Sequence, residues 1–488
     1  MARTPCRVAA HVAVALAGLT VAVACSKPPT SGGGGPVSAD DLPDCPLDAL
    51  DQADGPVEIA LWYGGLGGAT QATMEDMAER FNASQGEVVV NASNQGASYA
   101  EVYRKYESAA SASTDQLPDV IYLEDTQLRA MVDGGRVLPA ESCMRAAEYD
   151  MDQMLPVVRS TYTVDDVLYP GYMNVSTPVL YYNQSHWIRA GLDPTDPPQT
   201  LDELRDAARA LKDAGVSARP LSFKLSRWFF ETWLTGIGSD VVDQDNGRTG
   251  EPTTAELDSP EAVELLRFLQ DMDGEGLMNP FASTEGGIDH YLALVNQQSS
   301  MLIETSAAST TIRDALAGTI SADEAGAGVD ASAIDTSQLV PAAAPMPGIE
   351  TAGRIHASGG AFYMLNTSDP AQQAAGWRFL EFMLRPENAK EWFLNGAYLP
   401  IVEGVREEPD VQAFLQDDVA GKLLASAEQQ LADASPDAPG PLIGPYPDFN
   451  DNLERAMESS VLDGTDPEST LVGADDDITA ALERYVGD

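Results

Sequence analysis

Three short apolar runs near the start of the chain alternate with segments of helical period, and this order constrains the fold more than any other feature. The runs are VEIALW at 57–62, EVVVNA at 87–92 and DVIYL at 119–123. Buried strands joined by amphipathic helices form βαβ units, whose strands pair in parallel. The first connecting segment repeats its apolar side chains at i, i+3, i+4 and i+7: Met74, Met77, Ala78 and Phe81. The sequence therefore predicts an α/β fold with a parallel sheet.

Helix start signals recur further along the chain. Thr200 and Glu203 form a capping box ahead of LDELRDAARALKDAG, and Ser259 followed by Pro260 begins another helix. After GGAFYML at 359–365, helical period continues to the C-terminus except for a stretch rich in Pro and Gly at 435–447. We therefore predict a mainly helical C-terminal third.

Size and charge exclude several classes of protein. With 488 residues, 44% hydrophobic and 21% charged, the chain has globular composition and enough length for two or more packed lobes. Its 76 acidic and 28 basic residues give a formal net charge of -48. A charge of this sign argues against binding to nucleic acid and against electrostatic docking on anionic lipid.

The N-terminus has the pattern of an export signal. Arg3 and Arg7 precede an apolar run at 12–23, which is shorter than the roughly 20 apolar residues that a spanning helix needs. The small residues of AVAC resemble the bacterial lipobox, in which the cysteine is lipidated and becomes the mature N-terminus. We therefore expect a signal peptide at 1–24 and a lipid anchor on Cys25, with 25–55 as a lipid-anchored, flexible linker.

After processing, Cys45 and Cys143 are the two remaining thiols. In an oxidising compartment these are expected to form a disulfide. The spacing alone also allows two unpaired cysteines.

The sequence has no clear catalytic or cofactor-binding motif. The mature chain has three widely spaced histidines (186, 290 and 356), so we predict no metal site. The glycines at 64–68 do not fit the dinucleotide fingerprint, there is no phosphate-loop lysine, and no G-x-S-x-G is present. We predict neither a cofactor nor an enzyme. A secreted glycoside hydrolase and an adhesive lipoprotein stay open as alternatives.

Three separated blocks carry a family resemblance. They are STPVLYYNQSHWIRAGLDPTDPPQTLDELRDAARALKDAG at 176–215, SMLIETSAASTTIRDA at 300–315 and FLEFMLRPENAKEWFLNGAYLPI at 379–401. In this order they resemble the extracellular solute-binding proteins of bacterial ABC importers, and most of all the members that bind glycerol-3-phosphate or sugars. The resemblance covers nearly all of the chain after the linker.

The resemblance implies a two-lobed α/β architecture of the periplasmic-binding-protein (Venus-flytrap) type, in which hinge strands cross between the lobes. It implies that lobe 1 comprises 56–175 plus 304–357 and that lobe 2 comprises 176–303 plus 358–488. PVLYYN is then a crossing strand, and Ser176 lies at the cleft with its hydroxyl free.

The same resemblance implies a set of ligand contacts. It also places Trp228 and Tyr398 in the lobe that follows the crossing strand. A one-residue shift would put Glu124 in place of Asp125, and Tyr63, which opens the glycine-rich loop after the first strand, joins the set. The implied ligand-binding residues are Tyr63, Tyr99, Asp125, Ser176, Trp228, Ser306, Gly359, Gly360 and Tyr398.

The function implied is capture of a sugar, an oligosaccharide or a solute of the glycerophosphodiester or glycerol-phosphate type at the extracellular face of the cell membrane. The protein would deliver this solute to ABC permease subunits, and it would be a monomer that only the lipid anchor holds at the membrane. Phosphate-binding members carry an arginine near the segment that here reads GPYPDFNDNLER at 444–455. Because that arginine is missing from the matching position, we expect a neutral solute or a phosphodiester rather than a phosphomonoester.

Overall fold

The structure is a computed structural model that describes residues 36–284, 287–320 and 335–487, so the signal segment and Cys25 lie outside the described residues. Its strands are β1 (Val57–Tyr63), β2 (Val88–Asn94), β3 (Val120–Glu124), β4 (Val137–Leu138), β5 (Thr163–Val164), β6 (Val167–Leu168), β7 (Tyr172–Ser176), β8 (Pro178–Asn183), β9 (Leu221–Lys224), β10 (Met278–Phe281), β11 (Met301–Thr305), β12 (Pro341–Pro345) and β13 (Ser358–Leu365). Its helices of six residues or more with right-handed α geometry are Gly68–Ser84, Tyr99–Ala112, Leu128–Asp133, Ala140–Ala146, Pro156–Thr161, Gln184–Ala190, Leu201–Asp213, Arg227–Gly236, Pro260–Gly274, Asp289–Val295, Ala308–Ala317, Pro370–Leu384, Pro386–Gly396, Pro409–Asp417, Val419–Asp433, Tyr446–Val461 and Pro467–Gly487.

The first sheet contains the three strands that the sequence predicts. Its strand order is β2-β1-β3-β13-β4, and β7 also pairs with β13. β1 runs parallel to β2 and β3, which confirms the βαβ prediction for this part of the chain. β13 runs antiparallel to β3 and β7, so the whole sheet is mixed rather than parallel.

The second sheet has the order β10-β9-β11-β8-β12. β9 lies parallel to β10 and β11, while β8 lies antiparallel to β11 and β12. Alternate side chains of β8 enter different cores, because successive residues of a strand point to opposite faces. Val179 and Tyr181 join the hydrophobic cluster that also holds the first sheet, and Leu180 and Tyr182 join a second cluster.

The chain passes from one sheet to the other within a single residue. β7 ends at Ser176 in the first sheet and β8 begins at Pro178 in the second, with Thr177 between them. Ser306 holds Thr177 in place: its N–H donates to the Thr177 carbonyl at 2.8 Å, and its hydroxyl accepts the Thr177 N–H at 3.3 Å. The strand PVLYYN therefore begins at a crossing point, as the resemblance implies. The chain returns to the first sheet between β12 and β13.

The expected division into lobes needs correction at two places. β12, expected in lobe 1, belongs to the second sheet, and β13, expected in lobe 2, lies in the middle of the first sheet. Residues of Pro370–Leu384 and Pro386–Gly396 pack with the first-sheet core. All eight residues of β13 are buried, so its apolar pattern indicates a buried strand without indicating which sheet supplies its partners.

The helix caps and the disulfide in the structure agree with the predictions from the sequence. The capping box at Thr200 and the Ser259 cap are both present. The chain after β13 is mainly helical, with longer non-helical stretches at 397–408 and 434–445. Cys45 and Cys143 are joined in a disulfide, the pairing that the cysteine count favours. Within the described residues, the helices are too short or too polar to span a bilayer.

Candidate functional site

The two sheets face each other across a cleft at the carboxyl ends of their parallel strands. A cavity of about 710 Å³ lies there. From one side, the loop after β1 and the first turn of the helix Gly68–Ser84 contribute 65–71, and the loop after β2 contributes Gly96. Thr305 and residues of the helix Ala308–Ala317 line the cavity from the other side. Ligands of open α/β sheets bind beyond the carboxyl ends of the strands, so this is the expected position for a site.

Three tyrosines meet beside this cavity, and one of them, Tyr398, lines it. The Tyr99 hydroxyl lies 3.4 Å from the hydroxyls of both Tyr122 and Tyr398. Ser98 caps the helix that begins at Tyr99, which fixes the position of that ring. Tyr122 comes from β3, and the residue after Tyr398 pairs with Val175 of β7. We call Tyr99, Tyr122 and Tyr398 the tyrosine cluster.

Two glycines of β13 are required by close packing behind the tyrosine cluster. A Cβ on Gly360 would lie 2.1 Å from the Cζ and hydroxyl of Tyr122, and a Cβ on Gly359 would lie 1.9 Å from the carbonyl oxygen of Asn174. The Asn174 amide also donates to the Tyr122 hydroxyl at 3.1 Å. Both glycines thus make room for neighbours, and Gly360 fixes where the Tyr122 ring can lie.

Asp125 is held by the start of β13. Its carboxylate accepts hydrogen bonds from the Ser358 hydroxyl at 2.8 Å and from the Gly359 N–H at 3.0 Å. Burial, followed by the nearby charge of Glu124, raises the pKa of Asp125 to about 6. The Ser176 hydroxyl, expected to be free, is buried and donates to the Ser358 carbonyl at 3.4 Å. Ser176 therefore supports the crossing instead of presenting an unused hydroxyl.

Arg227 connects the two sides of the cleft. From the first turn of its helix it reaches Glu124, at the end of β3, at 3.4 Å, and it lies 3.6 Å from Glu231 on its own helix. Its guanidinium also donates to Asn450 at 3.1 Å and lies 4.7 Å from the centre of the Tyr446 ring. Burial raises the pKa of Glu231 to about 7, against the lowering effect of the Arg227 charge. Sequence analysis does not single out Arg227.

A second cation near the cleft is also paired. Lys224, the last residue of β9, lies 3.7 Å from Glu304 on β11, and His290 lies 2.6 Å from the same carboxylate. Burial alone would raise the pKa of Glu304, but the Lys224 charge and the His290 hydrogen bond lower it to about 2. Neither Lys224 nor Arg227 therefore lacks a carboxylate partner.

Trp228 and Tyr398 pack against the cores of different sheets, which corrects the expectation that one lobe carries both. Trp228 is half-buried against the second core, with its ring 5.5 Å from that of Phe229. Tyr398, 9% exposed, belongs to the core of the first sheet. The indole N–H of Trp228 is buried without a hydrogen-bond partner, which is costly for a polar group.

The remaining expected residues serve other contacts. Tyr63 is buried and its hydroxyl donates to Glu75 at 2.6 Å, on the helix that covers β1, so it does not join the tyrosine cluster. Ser306 is buried at the crossing. Tyr122 and Asn174 are not among the residues expected from the sequence. Tyr122 lies in the apolar run DVIYL, which predicts only a buried strand.

The described residues hold no group of three or more His, Cys, Asp or Glu side chains arranged for a metal ion. His290 pairs with Glu304, and the other two histidines of the described ranges contact hydroxyls. His186 lies 2.8 Å from Ser300, and His356 lies 3.2 Å from Thr235.

Comparison with known proteins assigns the family. Residues 67–390, about two thirds of the chain, match the model of the family described as bacterial extracellular solute-binding protein. The chain belongs to this family. It is 23% identical over 443 residues to the sn-glycerol-3-phosphate-binding periplasmic protein UgpB of Pectobacterium atrosepticum, covering 89% of this chain and 93% of that protein. UgpB of Escherichia coli K12 is 24% identical over 448 residues, covering 90% and 95%.

Solved structures show the same two-lobed solute-binding fold. UgpB from Mycobacterium tuberculosis, in complex with glycerophosphocholine, has a TM-score of 0.69 at 18% identity and covers 89% of this chain and 100% of that one. The cyclic alpha-maltosyl-1,6-maltose binding protein of Arthrobacter globiformis has a TM-score of 0.66 at 20% identity, covering 88% and 100%. At these identities the likeness establishes the fold and leaves the solute to be argued from this chain's own residues.

Proposed function

We propose that this solute-binding protein captures a neutral sugar or polyol between its two lobes and delivers it to the permease of an ABC importer. The observation that carries the proposal is the chemistry of the cleft. It offers aromatic rings from both sides, an unpaired indole N–H on Trp228, and cations that are already paired. Aromatic faces pack against the apolar face of a sugar ring, while carboxylates and N–H groups bond its hydroxyls.

Charge argues against a phosphomonoester as the solute. Glu124 and Glu231 neutralise Arg227, and Glu304 neutralises Lys224. A doubly charged phosphate would have to displace one of these carboxylates and would also approach Asp125. Desolvated like charges are costly, so the cleft favours an uncharged ligand. A glycerophosphodiester, with one negative charge, is the second candidate, and the position of Arg227 in the cleft is the observation that favours it.

Different roles follow for the candidate residues. Tyr99, Tyr398 and Trp228 are proposed to contact the solute, with Glu124 and Asp125 as acceptors for its hydroxyls. Gly359, Gly360, Ser176 and Ser306 are proposed to hold the tyrosine cluster and the crossing strands in place. Tyr63 is proposed to fix β1 to the helix Gly68–Ser84 through Glu75.

Three features of the cellular setting belong to the same proposal. The protein is secreted and held at the outer face of the cell membrane by a lipid on Cys25. It acts as a monomer, and it releases its solute unchanged to the permease subunits. Replacing Cys25 by Ala should move the protein from the membrane fraction to the medium. If this variant fractionates as the wild type does, the anchor is wrong.

A binding screen tests the function. Thermal shift followed by titration calorimetry should detect at least one ligand among neutral mono- to tetrasaccharides, polyols, glycerophosphocholine and glycerol-3-phosphate. At about 100 times its Kd, a ligand adds roughly 2.7 kcal/mol of stability. Incubation with the same saccharides should release no new reducing ends. A screen without any hit, or steady hydrolysis, would contradict the proposal.

Variants localise the binding to the cleft. Trp228→Ala and Tyr398→Ala should each weaken binding by roughly tens to hundreds of times, as truncation of a central aromatic contact does. Trp233 is the matched control, because it lies in the second core with its indole N–H bonded to the Pro347 carbonyl at 2.7 Å. Trp233→Phe should lower the free energy of unfolding by more than it weakens the free energy of ligand binding. Unchanged affinity in both cleft variants would mean that these rings only pack the cores.

A further inference from the structure

A second cavity, of about 560 Å³, opens beside the helix Tyr99–Ala112. Tyrosine rings are its main apolar lining: Tyr103 and Tyr106 from this helix, and Tyr485 from the C-terminal helix. The rings of Tyr103 and Tyr106 lie 6.2 Å apart and are nearly parallel, at 26°. We call the cavity bordered by Tyr103, Tyr106 and Tyr485 the tyrosine groove.

The tyrosine groove lies on the same helix face as Tyr99 of the tyrosine cluster. Tyr99, Tyr103 and Tyr106 stand at i, i+4 and i+7, which places their side chains on the same side of the helix. Tyr99 belongs to the tyrosine cluster in the cleft, and Tyr106 stands two turns, about 10 Å, further along. A row of aromatic side chains therefore extends from the solute site to a place that a single bound sugar ring would not reach.

Polar groups in the groove lack partners. Tyr106 is 5% exposed, and its hydroxyl makes no hydrogen bond within the described residues. One carboxylate oxygen of Asp133 is likewise buried and unpaired, although its other oxygen accepts from Tyr485 at 2.7 Å. Arg136 also lines the groove, where its charge acts on the Tyr106 hydroxyl. Buried polar atoms without partners are rare, and ligand hydroxyls would satisfy these.

Both lobes contribute to the tyrosine groove. Glu251 lies between β9 and β10 of the second sheet, and Tyr485 lies in the helix Pro467–Gly487, which packs in the second core through Leu471, Ala474, Ile478 and Leu482. Tyr103 and Tyr106 follow β2 of the first sheet. Arg129 lies 2.5 Å from Glu251 and joins the two sides beside the groove. A ligand there would contact both lobes, as a ligand in the central cleft would.

We propose that the tyrosine groove is an extension of the solute site and that the solute is a linear oligosaccharide longer than a disaccharide. Successive aromatic faces matched with carboxylate, guanidinium and hydroxyl groups suit a chain of sugar rings, each of which has an apolar face and a polar edge. This inference rests on the proposed function and names the length of the solute.

The test compares the affinity for saccharides of increasing length in the wild type and in two variants. Titration calorimetry uses α-gluco-, β-gluco-, galacto- and manno-oligosaccharides from mono- to tetrasaccharide, with glycerophosphocholine and glycerol-3-phosphate beside them. In the series that binds, affinity should rise at least about tenfold from the disaccharide to the tetrasaccharide. Tyr103→Ala should abolish this gain while leaving disaccharide affinity unchanged, and Tyr103→Phe should retain it. Tyr103 is half-buried, so the change should leave the fold intact.

Each other outcome decides a different question. If saccharides bind with no gain beyond the disaccharide, or if Tyr103→Ala keeps the gain, the groove is not a solute subsite and the proposed function stands. If only glycerophosphocholine or glycerol-3-phosphate binds, both the sugar preference and the oligosaccharide inference are wrong, although solute binding stands. If nothing binds, the proposed function fails and the inference fails with it.

Discussion

Replacement of Gly360 by alanine tests how the tyrosine cluster is held. The new Cβ would lie 2.1 Å from Tyr122 Cζ, whereas non-bonded carbon atoms prefer about 3.5 to 4.0 Å. The Tyr122 ring is fully buried, so it must move within a packed core, which costs roughly 1 to 3 kcal/mol. Its hydrogen bond with Asn174 should also be lost, at about 1 kcal/mol. The free energy of unfolding should therefore fall by about 2 to 4 kcal/mol.

Urea denaturation measures this loss, and a double-mutant cycle assigns it. In a Tyr122→Ala background the same Gly360→Ala change should cost less than about 1 kcal/mol, because the overlapping ring is absent. Gly473 lies inside the helix Pro467–Gly487 with no atom within 4 Å of its would-be Cβ, so Gly473→Ala should stabilise the protein by up to about 1 kcal/mol. If Gly360→Ala is equally destabilising with and without the Tyr122 ring, the packing argument is refuted.

Three further predictions concern stability. Burial lowers the pKa of His356 to about 3, so the stability that depends on its neutral form is present above pH 6.5 and is lost as the pH falls. Between these two pH values, His356→Gln should reduce the slope of unfolding free energy against pH by about 1.4 kcal/mol per pH unit. An unchanged slope would contradict this. The Arg248 guanidinium donates to five carbonyls, those of Ser160, Thr161, Thr163, Pro439 and Gly440. Because lysine has fewer N–H groups, Arg248→Lys should lower the free energy of unfolding in urea by about 2 to 4 kcal/mol. A neutral effect would refute this prediction. Mass spectrometry of unreduced peptides should find Cys45 joined to Cys143. Removal of this disulfide should lower the free energy of unfolding by up to about 5 kcal/mol. Two free thiols in exported protein would disprove the pairing.

Local sequence signals predict much of the fold but not how distant segments combine. The strands at 57–63, 88–94 and 120–124, the capping box at Thr200 and the helical C-terminal third all follow from residues close together in the chain. The sheet that β13 joins cannot be predicted from nearby residues, because a fully buried strand could pair in either sheet. Pairing partners depend on contacts between residues far apart in sequence.

The candidate site divides in the same way. Tyr99, Tyr398 and Trp228 come from the family resemblance, and two of them meet in the tyrosine cluster. Tyr122 lies in an apolar strand and is recognisable as part of the cluster only once Gly360 is known to pack beneath it. Arg227 is one residue before the expected Trp228, yet its role depends on Glu124, some 100 residues away in the chain.

A crystal structure of the protein grown with its tightest-binding saccharide tests the central claim most directly, namely that the solute is captured between the lobes. We predict ligand density in the cleft, in contact with Tyr99 of the first lobe and Trp228 of the second. A saccharide bound on one lobe alone, away from both rings, would contradict the claim.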